Sequence, residues 1–220
     1  MLHIQILPPD DTSLLPELQT MWQSICTNIG LEKHSKTLFL YIKKHYSESH
    51  RAYHNLSHIY TLLKITEQYK SEIENEHILE LAIWYHDIIY RATRKDNEVK
   101  SAEYALDVLL ESIVPSLELE YLKSLIVSTK KHEYLIDNFD NRFLLDIDLG
   151  VLAASRDTYT QYASAIREGY RIYTNFLYKK GRRKVLKHFL EREWIYFTNA
   201  FRDLHESDAR ANLEWEIENL

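Results

Sequence analysis

Cysteine is almost absent from this 220-residue chain. Cys26, the only one, can form no intramolecular disulfide and no multi-cysteine zinc site, and it fits a reducing compartment. In "MWQSICTNIG" it reads as a small core residue rather than a nucleophile. Glycine and proline are scarce as well, four of each, and Pro8, Pro9 and Pro16 all fall near the start. A β-rich fold full of tight turns needs more of both, so long helices joined by polar loops are expected. Long apolar runs are missing too. The longest, "ILELAIWYHDIIY" (78–90), is broken by acid and histidine and falls short of the ~20 residues a membrane span requires. The N-terminus "MLHIQILPPDD" has no basic segment ahead of its short apolar stretch, so no signal peptide is read and a cytoplasmic location is expected. Excess positive charge is also lacking: 27 Lys+Arg against 33 Asp+Glu leave −6. Nucleic-acid binding would then need a local basic patch, and neither a nucleic-acid nor a membrane partner is expected.

What the chain does have is helical periodicity. In "NLSHIYTLLKITEQY", Leu56, Ile59, Tyr60, Leu62, Leu63 and Ile65 recur at helical intervals, with Asn55 or Ser57 available as N-cap. "EHILELAIWYHDII" is apolar nearly all round, as a helix at the centre of a bundle would be. Further helices are expected over 14–28, 35–46, 98–111, 117–132, 158–173, 182–204 and 206–220, with a short one starting near Asp146. Glycine among lysines and arginines in "LYKKGRR" (177–183) reads as a connection between helices. The expectation is one all-α domain over 1–220, with its chemistry in about 51–153 and C-terminal helices (about 156–220) packed on that core.

The residues able to carry chemistry come in a definite order. His86 and Asp87 are adjacent in an otherwise apolar helix, where an ionisable pair is costly unless each group is paired or binds a metal. His58 lies upstream at a helix start, and "LLDIDLGVLA" supplies Asp146 and Asp148 downstream. Two imidazoles with two carboxylates form a mixed nitrogen and oxygen set suited to Mn, Fe, Co, Ni or Zn, with Mg admissible, and leave positions open for water and substrate.

The order H…HD…D on an all-α chain resembles the HD-domain metal-dependent phosphohydrolase superfamily. "YHNLSHI", "AIWYHDIIY", "DNEVKSA" and "LLDIDLGVLA" carry the resemblance, which continues through "FLEREWIYFT" and "ARANL". It implies an HD-type helical bundle with metal ligands at His58, His86, Asp87 and Asp146, leaving Asp148 to cap a helix or orient a ligand. It also implies that Asn97 and Glu98 face the site, where Glu98 would orient or deprotonate the attacking water. His132 stands as a candidate for catalysis, and Arg51, His54, Lys95 and Lys131 as candidates for substrate contact. Lys130 and Lys131 at a helix C-terminus also answer the helix dipole without any ligand. Tyr90 and Arg91 follow the HD pair in place of the acidic pair of alarmone hydrolases, and the "GYP" signature of cyclic-dinucleotide phosphodiesterases is missing.

The expected function is therefore hydrolysis of a phosphate ester or anhydride in a nucleotide or other small phosphorylated molecule, with a divalent transition metal as cofactor. The absence of a Gly-rich phosphate loop argues against a kinase. The alternatives are a non-catalytic nucleotide-binding module and a di-iron oxygenase, for which His54 and His132 would be spare ligands. Oligomeric state is left open.

Overall fold

The computed structural model describes residues 12–220. Among them are ten α-helices, with no strand. In chain order they are α1 (Leu15–Asn28), α2 (Ser35–Tyr46), α3 (Leu56–Gln68), α4 (Glu76–Tyr85), α5 (Asn97–Val108), α6 (Ser116–Ser128), α7 (Phe139–Asp148), α8 (Arg156–Gly169), α9 (Asn175–Leu190) and α10 (Asn199–Asn219). No helix of the described residues is long and apolar enough to cross a membrane.

The apolar circumference of α4 decides the arrangement. Ile78, Leu79, Leu81, Ala82, Ile83, Trp84 and Tyr85 are all buried, so α4 must be covered on every side, and α1, α3, α5, α6 and α7 surround it. Trp84 meets Trp22 of α1 edge-on at 5.4 Å, and the Tyr46 hydroxyl donates to the Trp84 carbonyl. Cys26 lies wholly inside this core, where burial pushes its thiol up to about 12. It is inert packing, as its context implied.

Buried polar groups pin the helix ends. Asn55 accepts from the Ser57 N–H and caps α3, and Asn75 caps α4 by accepting from Ile78. The Asp140 carboxylate at the start of α7 accepts from the Glu74 and Asn75 N–H groups, both at 2.8 Å, and so ties α7 to the entry of α4.

Helix α10 packs on the 3-10 turn Gly150–Ala153 and on α8 and α9. Arg182 of α9 forks onto Glu216 of α10 at 2.7 and 2.9 Å, and the Tyr159 hydroxyl of α8 donates to the same carboxylate. Three expectations fail here. "LYKKGRR" lies inside α9 and connects nothing; the single helix expected over 182–204 breaks at 191–198; and the last helix begins at Asn199. The break exists because buried Glu206 captures the N–H groups of Ile195 and Tyr196, fixing that segment in a non-helical path.

Candidate metal centre

His86 and Asp87 do not sit inside a helix as expected but at its exit. Helix α4 ends at Tyr85, and His86 is its C-cap. A helix end leaves carbonyls without intrahelical partners. Arg51 supplies them: its fully buried guanidinium donates to the carbonyls of Asp87 (2.7 Å), Ile88 (2.9 Å) and His54 (3.2 Å) and lies over the Tyr46 and Tyr90 rings. Arg51 thus holds the HD turn in place, its guanidinium taken up by these backbone carbonyls and by the Glu48 carboxylate at 3.3 Å. Its expected role in substrate contact is corrected on that ground.

His58 enters from α3, in the first turn after the Asn55 cap. Its Nε2 lies 3.3 Å from His86 Nε2 and 3.2 Å from Asp148 Oδ1. His86 Nδ1 is 2.8 Å from the Ile83 carbonyl, which can only accept, so the ring carries its proton there and turns the Nε2 lone pair inward. That nitrogen faces Asp87 Oδ2 at 3.4 Å and Asp148 Oδ1 at 3.7 Å. Lone pairs converging on lone pairs repel unless positive charge lies between them. Burial alone pushes His86 down, yet Asp87 and Asp148 outweigh it and raise the ring to about 9. Burial works against both carboxylates too, but the histidines beside them hold Asp87 and Asp148 well below the usual range.

A cation satisfies the same demand. Ligand atoms around an ion with bonds of ~2.1 Å stand about 3 to 3.5 Å apart. Three ligand atoms, from His58, His86 and Asp148, lie within 4.8 Å of one another, so this group can hold a metal ion. A carbonyl orienting the far nitrogen of a ligating histidine is the usual outer support of such a site.

The pair in "LLDIDLGVLA" divides opposite to expectation. It closes α7 and does not open a helix. Residues two apart on a helix point about 200° from each other, so the two carboxylates face different neighbours. Asp148 enters the cluster. Asp146 is wholly buried on the other side, where it accepts from the N–H groups of Phe197 (2.6 Å) and Thr198 (2.7 Å) and from the Thr198 hydroxyl (2.7 Å). Burial pushes its carboxyl up to about 7 despite those donors. Asp146 anchors the entry of α10, and it is Asp148, not the expected Asp146, that stands with His58 and His86.

His132 is brought in from the turn after α6. Its Nε2 lies 3.1 Å from Asp148 Oδ2, so Asp148 offers one oxygen to the cluster and the other to His132. Its backbone has a positive φ of 49°, a conformation costly for a side-chain-bearing residue unless held. Arg192 holds it by donating to the Lys131 and His132 carbonyls at 2.8 and 2.9 Å.

The remaining candidates are placed as follows. His54 lies just before the α3 cap, stacks on Tyr90 at 4.4 Å and stands 3.9 Å from Asp87 Oδ2. Burial lowers it to about 4, so it is neutral. Glu98, in the first turn of α5, is partly buried and raised by that burial, and it lines the same cavity as the cluster. Asn97 does not cap α5 with its side chain; it closes the 91–97 loop by pairing with both backbone groups of Arg91. Lys131 is exposed on the cavity rim, whereas exposed Lys95 lies outside the lining.

That cavity, of about 960 Å³, has His86, Asp87, Asp148, His132 and Glu98 in its lining. Its other walls come from helices that sequence reasoning treated as mere packing. Tyr162 of α8, Tyr178, Arg182, Lys184 and His188 of α9, and Tyr170 between them all line it. The density of tyrosine and arginine over 159–183 was the one available signal. The chain matches no protein-family model, no curated protein and no solved structure.

Proposed function

We propose that this chain is a metal-dependent phosphohydrolase acting on a small phosphorylated molecule. The observation that supports this best is the convergence of His58, His86 and Asp148, with Asp87 beside them, where His86, Asp87 and Asp148 line an open cavity that also presents Glu98 and Lys131. The resemblance of H…HD…D to the HD-domain superfamily points the same way, with Asp148 in place of Asp146.

In this reading His58, His86 and Asp148 hold the ion and Asp87 completes the set. When bound, a divalent cation would polarise a phosphoryl oxygen and lower the pKa of water. The chain's own residues do the rest. Ile83 fixes the His86 tautomer, and His132 keeps one Asp148 oxygen turned toward the cluster. Glu98, whose carboxyl burial raises, lines the cavity and accepts the proton of the attacking water. Lys131 offsets phosphate charge at the rim. Positioning and charge neutralisation supply the rate, with no covalent intermediate on the protein.

The test is phosphate release from a panel of nucleotides, phosphomonoesters and anhydrides with Mn, Co, Ni or Mg. At least one compound should be hydrolysed, and Glu98→Gln should lower kcat by about 100-fold or more. Metal-loaded protein that releases phosphate from none of them contradicts the reading.

A further inference from the structure

Tyr53 is only 9% exposed and stands beside the cluster, two residues ahead of the Asn55 cap of α3. Its ring is clamped: the His58 ring lies 5.0 Å away, and the Tyr162 ring of α8 meets it edge-on at 4.7 Å. Tyr162 is held in turn by Arg182, whose guanidinium lies 5.4 Å from its ring and is fixed by Glu216. Packing of this kind sets where the phenol stands, yet its hydroxyl has no hydrogen-bond partner among the described residues. A buried phenol ordinarily finds one. Asp148 and Asp87 are near enough for their charge to act on it, and neither accepts its hydrogen bond.

The hydroxyl is not sealed in. Among the described residues, the side-chain atom shut off from solvent without a partner is Trp84 Nε1; the Tyr53 oxygen keeps access to open space. Tyr53 borders two spaces. One is a void of about 10 Å³ beside Ser57 and Thr61, room for a single water at most, and the other is the 960 Å³ cavity lined by His86, Asp87 and Asp148. Only the second admits a phosphorylated molecule. Other neutral donors of that lining are already committed, the Asn97 amide to the Arg91 carbonyl and the Thr129 hydroxyl to the Ile126 carbonyl. The carboxylates of the cluster repel phosphoryl oxygens, so a fixed donor next to them supplies what a bound phosphoryl group needs.

We infer that Tyr53 is a catalytic residue whose hydroxyl donates a hydrogen bond to a non-bridging oxygen of the phosphoryl group at the cluster. The substrate is then the missing acceptor. The proton stays on the phenol, and no bond to hydrogen is made or broken there. A donor fixed before the substrate arrives needs no reorganisation as negative charge gathers on that oxygen. That the acceptor is a phosphoryl oxygen rests on the hydrolase reading; the unpartnered hydroxyl beside the cluster does not.

The experiment compares wild type with Tyr53→Phe, as full chains loaded with cobalt. Isothermal titration measures binding of inorganic phosphate, and phosphate release is followed from whichever compound the wild type cleaves. The variant should keep its metal content and melt no lower than the wild type, because the lost hydroxyl bonds to nothing in the fold. It should bind inorganic phosphate about tenfold more weakly and lose about 100-fold in kcat. A variant that matches the wild type in both phosphate affinity and turnover, or one that melts lower or sheds its metal, would overturn the proposal. Phosphate binding weakened in the variant while the wild type cleaves nothing would uphold Tyr53 as the contact and overturn the hydrolase reading.

Discussion

Arg51 and the aspartates of "DID" show how much of a site is decided by where a single polar group finds its partners. A guanidinium buried on all sides persists because Glu48 pairs its charge and because it answers the carbonyls of His54, Asp87 and Ile88 around the exit of α4. Replacing it by methionine keeps the bulk and orphans those carbonyls, so Arg51→Met should lower unfolding stability by about 3 kcal/mol or more in urea denaturation. A change within about 0.5 kcal/mol would mean that Arg51 is not the clamp described. The residue types of the site were legible in the sequence, and the fold brings His58 within 3.3 Å of His86 and Asp87 within 3.4 Å of it. The sequence could not show which of Asp146 and Asp148 faces inward. Two carboxylates two positions apart differ only in which neighbours the fold brings up, and the donors that claim Asp146 lie some fifty residues downstream.

At the scale of elements, the helical class and the central place of α4 were legible because period and apolar circumference are local properties. The boundaries in the C-terminal half were not. Gly181, which read as a break between helices, sits in the middle of α9 with open space where a Cβ would be. A helix interior tolerates glycine at a cost in backbone entropy, so Gly181→Ala should raise stability by about 0.5–1 kcal/mol. Chemical denaturation measures it; a destabilised variant would argue that α9 is not continuous there. Conversely, 191–198 has adequate helix formers and still leaves the helix, since Glu206 satisfies its N–H groups from another part of the chain. Propensity gives no notice of such a tertiary competitor.

For the molecule as a whole, the cluster lies where α3, the exit of α4 and the end of α7 meet, and α8 and α9 complete the cavity in front of it. His58, His86 and Asp148 are placed so that they can hold a metal ion, whereas Asp146 is an anchor for α10. Metal content of protein purified from manganese- or cobalt-supplemented cultures and desalted tests it most directly, comparing wild type with Asp148→Ala and Asp146→Asn. The proposed metal centre should give about one equivalent of transition metal in the wild type, its loss in Asp148→Ala, and its retention in Asp146→Asn, whose penalty falls on stability. Metal retained by Asp148→Ala and lost from a folded Asp146→Asn would contradict it.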